Sequence, residues 1–484
     1  MTELRLPDRK TAASFWQSVS TRFLPFADVA TQELPLSRLL RLSLFQVSVG
    51  MAMVLLTGTL NRVMIVELGV PTSLVALMVA IPVLAAPFRV LMGHRSDSYK
   101  SLLGWRRVPY IWLGTMLQFG GLAIMPFALL LLQSQTVGPE WAGPAGAALA
   151  FLLTGIGMHM AQTAGLALAT DLATEDNRPR VVALVYVMLL IGMIVSALAF
   201  GWLLSDFNPM ILIQVVQGAA VVTIALNVIA LWKQEPRNPQ LTRFDRPEIS
   251  FADALRGYSA DDGVKRLMFA IAFGSAGFAM QDVLLEPYGG EVLGLSVSQT
   301  TLLTALWATG ALIGFAIAAR IVAQGKDMYR LAAIGALLGV VSFSCVVFAD
   351  PLGSANLFRV GTFLIGLGGG IFSVATMLAC MQIGRGRTDN GVIIGAWGAV
   401  QATATGLGLA FGGFARDAIN TAASHGFFGA ALTSPSAGYS VVYHIEIGLL
   451  FTALVFLGPL VGTARNPSNE TSNSKAIGLA DLPG

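Results

Sequence analysis

Twelve apolar runs of about twenty residues, separated by short polar breaks, constrain this chain more than anything else in it. They fall near 40–65, 72–93, 108–133, 143–170, 181–204 and 209–232, then near 266–288, 298–319, 330–349, 357–384, 391–415 and 439–463. A helix of that length crosses the hydrocarbon core of a bilayer, where each segment must satisfy its own backbone N–H and C=O groups. The expected fold class is therefore all-α integral membrane. Composition agrees, because a charged fraction of 12% and a mean hydropathy of +0.70 leave too much apolar surface for water-soluble domains. The polar first 38 residues carry no short apolar segment with a cleavage site, so no cleaved leader is expected.

The basic residues orient these spans. Of 30 lysines and arginines, 26 fall in the two terminal segments and in alternate connections, which places both termini and the central loop in the cytoplasm. Only Arg62, Arg89, Arg359 and Arg416 lie elsewhere. A net charge of +3 is too small to point to nucleic acid, and Cys345 and Cys380 read as small apolar fillers rather than a disulfide or metal pair. No H-E-x-x-H, P-loop or G-x-S-x-G motif is present, so an enzyme is not expected, and no metal site is read from the sequence.

The chain is expected to divide into a cytoplasmic N-terminal segment (1–38), a first six-helix half (39–232), a cytoplasmic linker (233–265), a second six-helix half (266–463) and a tail expected to be disordered (464–484). In the first segment Phe15, Trp16, Val19, Phe23 and Phe26 form an apolar stripe suited to an interfacial helix. Sliding the halves by 225 residues sets Arg41-Leu42 on Arg266-Leu267 and Leu68-Gly69 on Leu293-Gly294. Sliding by 211 sets Gly155 and Gly157 on Gly366 and Gly368. Two related six-helix halves are the parallel repeat of the major facilitator fold. Gly93, Asp97, Gly104, Arg106 and Arg107 resemble the loop motif of that fold between spans two and three, with its arginines expected to face the anionic cytoplasmic leaflet.

Polar groups inside the spans mark candidate sites, since each is costly in lipid. His159 is the one mid-span histidine, with Gln162 and Thr163 on the same helical face. It reads either as a hydrogen-bonded bundle residue or as a ligand for a chlorin magnesium or a proton. Ser373, Thr376, Cys380 and Gln382 of span ten, and Gln281, Asp282 and Glu286 of span seven, fall on helices that line the central cleft of facilitators. Arg62 matches the depth of Asp282 and Glu286, so it either pairs with one of them as a periplasmic latch or is satisfied locally by Glu67. No carboxylate is expected at mid-span, which leaves little equipment for proton coupling. Gly366 and Gly370 in span ten, and Gly391/Gly395 and Gly408/Gly412 in span eleven, form small-residue faces for a helix of the bundle or for an outside helix or flat ring.

Three stretches carry a family likeness: LLTGTLNRVMIVELG from Leu55 to Gly69, the segment from Gly93 to Tyr110, and QDVLLEPYGG from Gln281 to Gly290. They resemble the PucC/LhaA family of light-harvesting assembly factors, the bacteriochlorophyll-delivery branch of the major facilitators. The N-terminal extension with Leu24-Pro-Phe-Ala-Asp28 looks closer to the LhaA type, associated with the core antenna. The resemblance implies a multi-pass protein of the photosynthetic cytoplasmic membrane that binds or transfers bacteriochlorophyll. It also implies antenna polypeptides, the reaction-centre core complex and membrane lipids as partners. The alternative from the residues is a secondary transporter of a small amphipathic or anionic solute, with Arg62 or Arg89 holding the anion.

Overall fold

The computed structural model describes residues 35–84, 105, 107–132, 139, 141–174, 178–235, 261–384, 390–427 and 434–462. The N-terminal stripe, Gly93, Asp97, Gly104, Arg106, most of the linker and the tail lie outside the described residues. Twelve helical segments follow in order among those described: α1 (Leu36–Glu67), α2 (Thr72–Leu84), α3 (Val108–Leu132), α4 (Ala142–Leu172), α5 (Arg178–Leu203) and α6 (Pro209–Leu231). The second half holds α7 (Asp262–Glu291), α8 (Val297–Ala323), α9 (Met328–Ala349), α10 (Ala355–Gly384), α11 (Asn390–Ser424) and α12 (Ser436–Leu457). Ten of them are long and apolar enough to cross a membrane; α2 is described for 13 residues only, and α11 is a 35-residue helix of lower mean hydropathy. The protein is a multi-pass membrane protein.

Side chains cap the helices where they leave the apolar layer. Asn208 accepts from the Met210 amide at the start of α6, Asp261 from Gly263 and Val264 at α7, and Asp327 from Tyr329 and Arg330 at α9. Ser296 and Gln299 make a reciprocal capping box at α8.

The internal repeat extends to single hydrogen bonds. At the end of α1 the Leu68 amide donates to Val63 O (3.0 Å) and the Val70 amide to Met64 O (2.9 Å). At the end of α7, 225 residues on, Leu293 donates to Tyr288 O (3.4 Å) and Leu295 to Gly289 O (2.9 Å). Both turns close on a left-handed glycine, Gly69 at φ +65° and Gly294 at φ +64°. An L side chain is disfavoured there by about 1–2 kcal/mol. Gly69→Ala and Gly294→Ala are accordingly expected to destabilise by similar amounts within that range, read as matched falls in unfolding temperature. Unequal falls would break the equivalence of the two turns.

The helix contacts repeat too. A Cβ on Gly157 would meet the Gly114 carbonyl of α3, and one on Gly368 would meet the Gly335 carbonyl of α9. One on Gly155 would strike Pro82, and one on Gly366 would strike Trp307, which is Pro82 shifted by 225. Each half is thus a bundle zipped at glycines, where backbones approach closely enough for dispersion to replace the hydrophobic effect lipid cannot supply. In the first half a polar core reinforces this: Ser48 donates to Asn227, Asn227 to Thr115, and Gln118 to the Ser48 carbonyl, tying α1, α3 and α6 at 2.9–3.1 Å.

Candidate functional site at the outer end of the bundle

The end of α1 and the end of α7 meet where the two halves touch, on the side opposite the basic loops. Two features of the sequence shape α1 and α7 here. In α1 the ladder widens to π-type turns over Val54–Thr59 and Val63–Glu67, which re-aims the residues between them. In α7 Pro287 has no N–H, so the carbonyl four residues earlier, Val283 O, loses its intrahelical donor.

Asn61 supplies the missing donor from the other half. Its Nδ2 donates to Val283 O at 2.9 Å and lies 3.4 Å from Asp282 O. Beside it the Arg62 Nη2 donates to Leu295 O at 3.2 Å, and Nη1 ion-pairs with Glu67. Gly58 lets Glu286 approach, since a Cβ there would lie 2.4 Å from its Oε1, and that oxygen accepts from Thr304 Oγ1 at 2.6 Å. Gly290 leaves room for the guanidinium, as a Cβ would sit 3.0 Å from Arg62 Nε. The two motifs are complementary faces of one clamp.

Further contacts close the same end. Thr59 and Thr301 hydroxyls lie 3.2 Å apart, and Ser298 Oγ donates to Gly201 O at 2.5 Å. The Ser73 amide, in the first turn of α2, donates to Asp417 of α11 at 2.7 Å, a cap supplied by the other half. Asp417 also pairs with Arg416 at 3.0 Å, and Arg416 in turn pairs with Glu291 at the end of α7 and stacks over Tyr439.

The structure chooses between several of the alternatives that the sequence left open and reverses the expectation for Arg107. Arg62, 4% exposed, pairs with Glu67 and a backbone carbonyl rather than with Asp282 or Glu286, because the π-type turns bring Glu67 back onto it. Arg107 does not face the leaflet: it is 5% exposed and pairs with Asp171 at the end of α4 at 3.0 Å. The described glycine faces are taken up within the bundle, Gly366 and Gly370 by α8, and Gly408 and Gly412 by α7. Gly391 and Gly395 lie in the first turns of α11. His159 and Gln162 are half-buried on α4, outside the set of helices on which the Gln281–Glu291 part of α7 packs closely. Ser373 and Thr376 accept from Gln401 and Trp397 of α11, and Cys380 is buried in an apolar cluster.

A mid-span carboxylate is present after all. Glu446 lies near the middle of α12, fully buried, with no charged partner among the described residues. It faces the Gln281 backbone and the half-buried Asp282 of α7. The span read from the sequence, 439–463, centres on residue 451, whereas the helix runs Ser436–Leu457 and centres on Glu446. Glu446→Met, of similar volume and with no carboxyl to desolvate, is expected to raise stability by about 1–3 kcal/mol. A fall in unfolding temperature would mean that the carboxyl has a partner worth more than its desolvation.

The fold and the clamp define a class. Two solved structures superpose at low identity, and both are transporters: a bacterial homologue of the human lysosomal transporter Spinster in an inward-facing state, and the nucleoside transporter NupG as its D323A mutant. The first gives a TM-score of 0.65 at 15% identity over 87% of this chain and 95% of that one; the second gives 0.64 at 14% over 87% and 99%. The chain has the major facilitator fold.

The PUCC protein family model matches residues 59–465, which takes in the second clamp motif whole and the first from Thr59 onward, and the chain belongs to that family. It is 56% identical over 471 residues to an uncharacterized protein in the puhA-bchM intergenic region of Rhodobacter capsulatus, covering 96% of this chain and 98% of that one. It is 54% identical to Protein PucC of Rhodovulum sulfidophilum, covering 85% and 91%. It is also 28% identical to the bacteriochlorophyll synthase 44.5 kDa chain of Rhodobacter capsulatus, covering 78% and 87%.

Proposed function

We propose that this protein is a non-enzymatic assembly factor of bacterial light-harvesting complexes that handles bacteriochlorophyll and passes it to antenna polypeptides. The observation that carries this reading is membership of the PUCC family over residues 59–465, alongside relatives named PucC at 47–54% identity and one named bacteriochlorophyll synthase 44.5 kDa chain at 28%. Core rather than peripheral antenna is the choice that the N-terminal extension with Leu24-Pro-Phe-Ala-Asp28 favours. The reading places the protein in the photosynthetic membrane, next to the reaction-centre core complex.

The residues present suit a chlorin. Its magnesium accepts one further hard oxygen or imidazole ligand. Glu286, whose Oε1 accepts from Thr304 while Oε2 has no partner among the described residues, half-buried Asp282 on α7, and half-buried His159 and Gln162 on α4 are the groups that would offer one. When bound, the pigment supplies the light-absorbing chemistry; these side chains orient it. Purification from phototrophic cells in mild detergent is expected to retain long-wavelength chlorin absorbance and a small antenna polypeptide. Absence of both overturns the reading.

A second reading, a secondary transporter, draws support from the transporter fold and from the buried Glu446 beside Asp282. Its anion site at Arg62 is not favoured, because that guanidinium is buried and already paired. Solute flux into proteoliposomes that collapses with the transmembrane gradient would favour it.

A further inference from the structure

A groove of about 420 Å³ opens between the start of α3 and the end of α6, at the end of the bundle that carries the basic loops. Its walls are apolar, and three of the chain's eight tryptophans, Trp105, Trp112 and Trp232, converge on it. Lys233 stands at its mouth in a left-handed backbone conformation (φ +54°), the one such non-glycine residue among those described.

Its neighbours explain that geometry. Gln234 is pinned inward by Arg38, whose Nε donates to Oε1 at 3.0 Å and Nη2 to the backbone O at 2.8 Å. Glu235 turns back to accept the amides of Arg107 and Val108 at the start of α3, at 2.9–3.2 Å. That carboxylate is absorbed by a helix N-terminus. Lys233, exposed, makes no hydrogen bond or ion pair among the described residues, and the buried Nε of Arg41 has no partner, although its Nη2 donates to Trp232 O at 3.1 Å. The mouth therefore presents positive charge above an indole-lined apolar slot.

We propose that this groove is a binding site for an anionic phospholipid of the cytoplasmic leaflet. The phosphate sits at Lys233 and Arg41, and an acyl chain runs down past Trp112, Val228 and Leu231. Indoles favour headgroup depth, and basic pockets between helices on the cytoplasmic side select acidic headgroups. The bound lipid joins α1 and α3 to the point where the chain leaves α6 for the linker. This site does not depend on the assembly role.

The test uses the full chain in nanodiscs, with Trp16, Trp141, Trp202, Trp307 and Trp397 changed to phenylalanine so that only the groove indoles emit. Brominated phosphatidylglycerol is expected to quench them at a several-fold lower mole fraction than brominated phosphatidylcholine. Lys233→Gln is expected to erase that preference while leaving the phosphatidylcholine curve, and hence the fold, unchanged. Equal quenching by the two lipids, or a preference that survives Lys233→Gln, overturns the proposal. So does displacement of the brominated lipid by inorganic phosphate, which would make this a soluble-anion site. Emission already quenched in proportion to copurified chlorin would assign the groove to pigment and overturn it likewise.

Discussion

Gly366→Ala is expected to destabilise the protein by about 3 kcal/mol and to lower the yield of monodisperse material sharply. A Cβ at this position would lie 2.0 Å from the Trp307 carbonyl oxygen, and the facing Gly310 would place one 2.1 Å from Phe363 O. These are backbone atoms of α8 and α10, so no side-chain rotation relieves the clash; the helices must separate along a contact buried in the second half. Gly398 is the control, since a Cβ there meets nothing within 4 Å and alanine gains about 1 kcal/mol of helix propensity. Thermal unfolding of the two variants should differ in sign. If Gly366→Ala melts with the wild type, α8 and α10 do not pack as closely as described.

Asn61→Leu is expected to release the outer clamp. It leaves Val283 O without a donor in a low-dielectric setting, a penalty of about 1–3 kcal/mol, or roughly a ten- to hundredfold shift in the closed population. Pro287→Ala returns an N–H to that carbonyl and makes Asn61 dispensable there. The double variant should therefore recover most of the closure lost by Asn61→Leu. Nitroxides at Trp202 and Leu352, exposed at the outer ends of the two halves, report the opening as a distance. The labels go into a chain lacking Cys345 and Cys380. Longer distances in Asn61→Leu that persist in the double variant would separate closure from the Val283 carbonyl.

What the sequence disclosed follows the physics of each feature. Spans were legible because the bilayer demands long apolar helices, and the repeat because turns such as Leu68-Gly69 and Leu293-Gly294 need glycine for the same backbone reason. The clamp was legible only as two motifs at matching depth. Its bonds were not, because they run through backbone carbonyls: a proline in one helix creates the acceptor that an asparagine in another fills. Arg62 drew attention to carboxylates across the cleft, yet two π-type turns supply Glu67 from its own helix. Arg416 stood out as a basic residue on the wrong side, and its partners Glu291 and Tyr439 come from helices that sequence spacing does not connect. Glu446 turned on helix boundaries displaced by three residues at the start and six at the end, which moves the centre of the span from residue 451 onto the acid.

The assembly role is tested most directly by near-infrared absorbance of membranes from phototrophic cells in which this chain is deleted and then restored as wild type or as Asn61→Leu. Deletion should lower the core antenna per reaction centre severely, wild type should restore it, and the clamp variant should restore it only in part. An antenna-to-reaction-centre ratio that is the same with and without the chain would contradict the account.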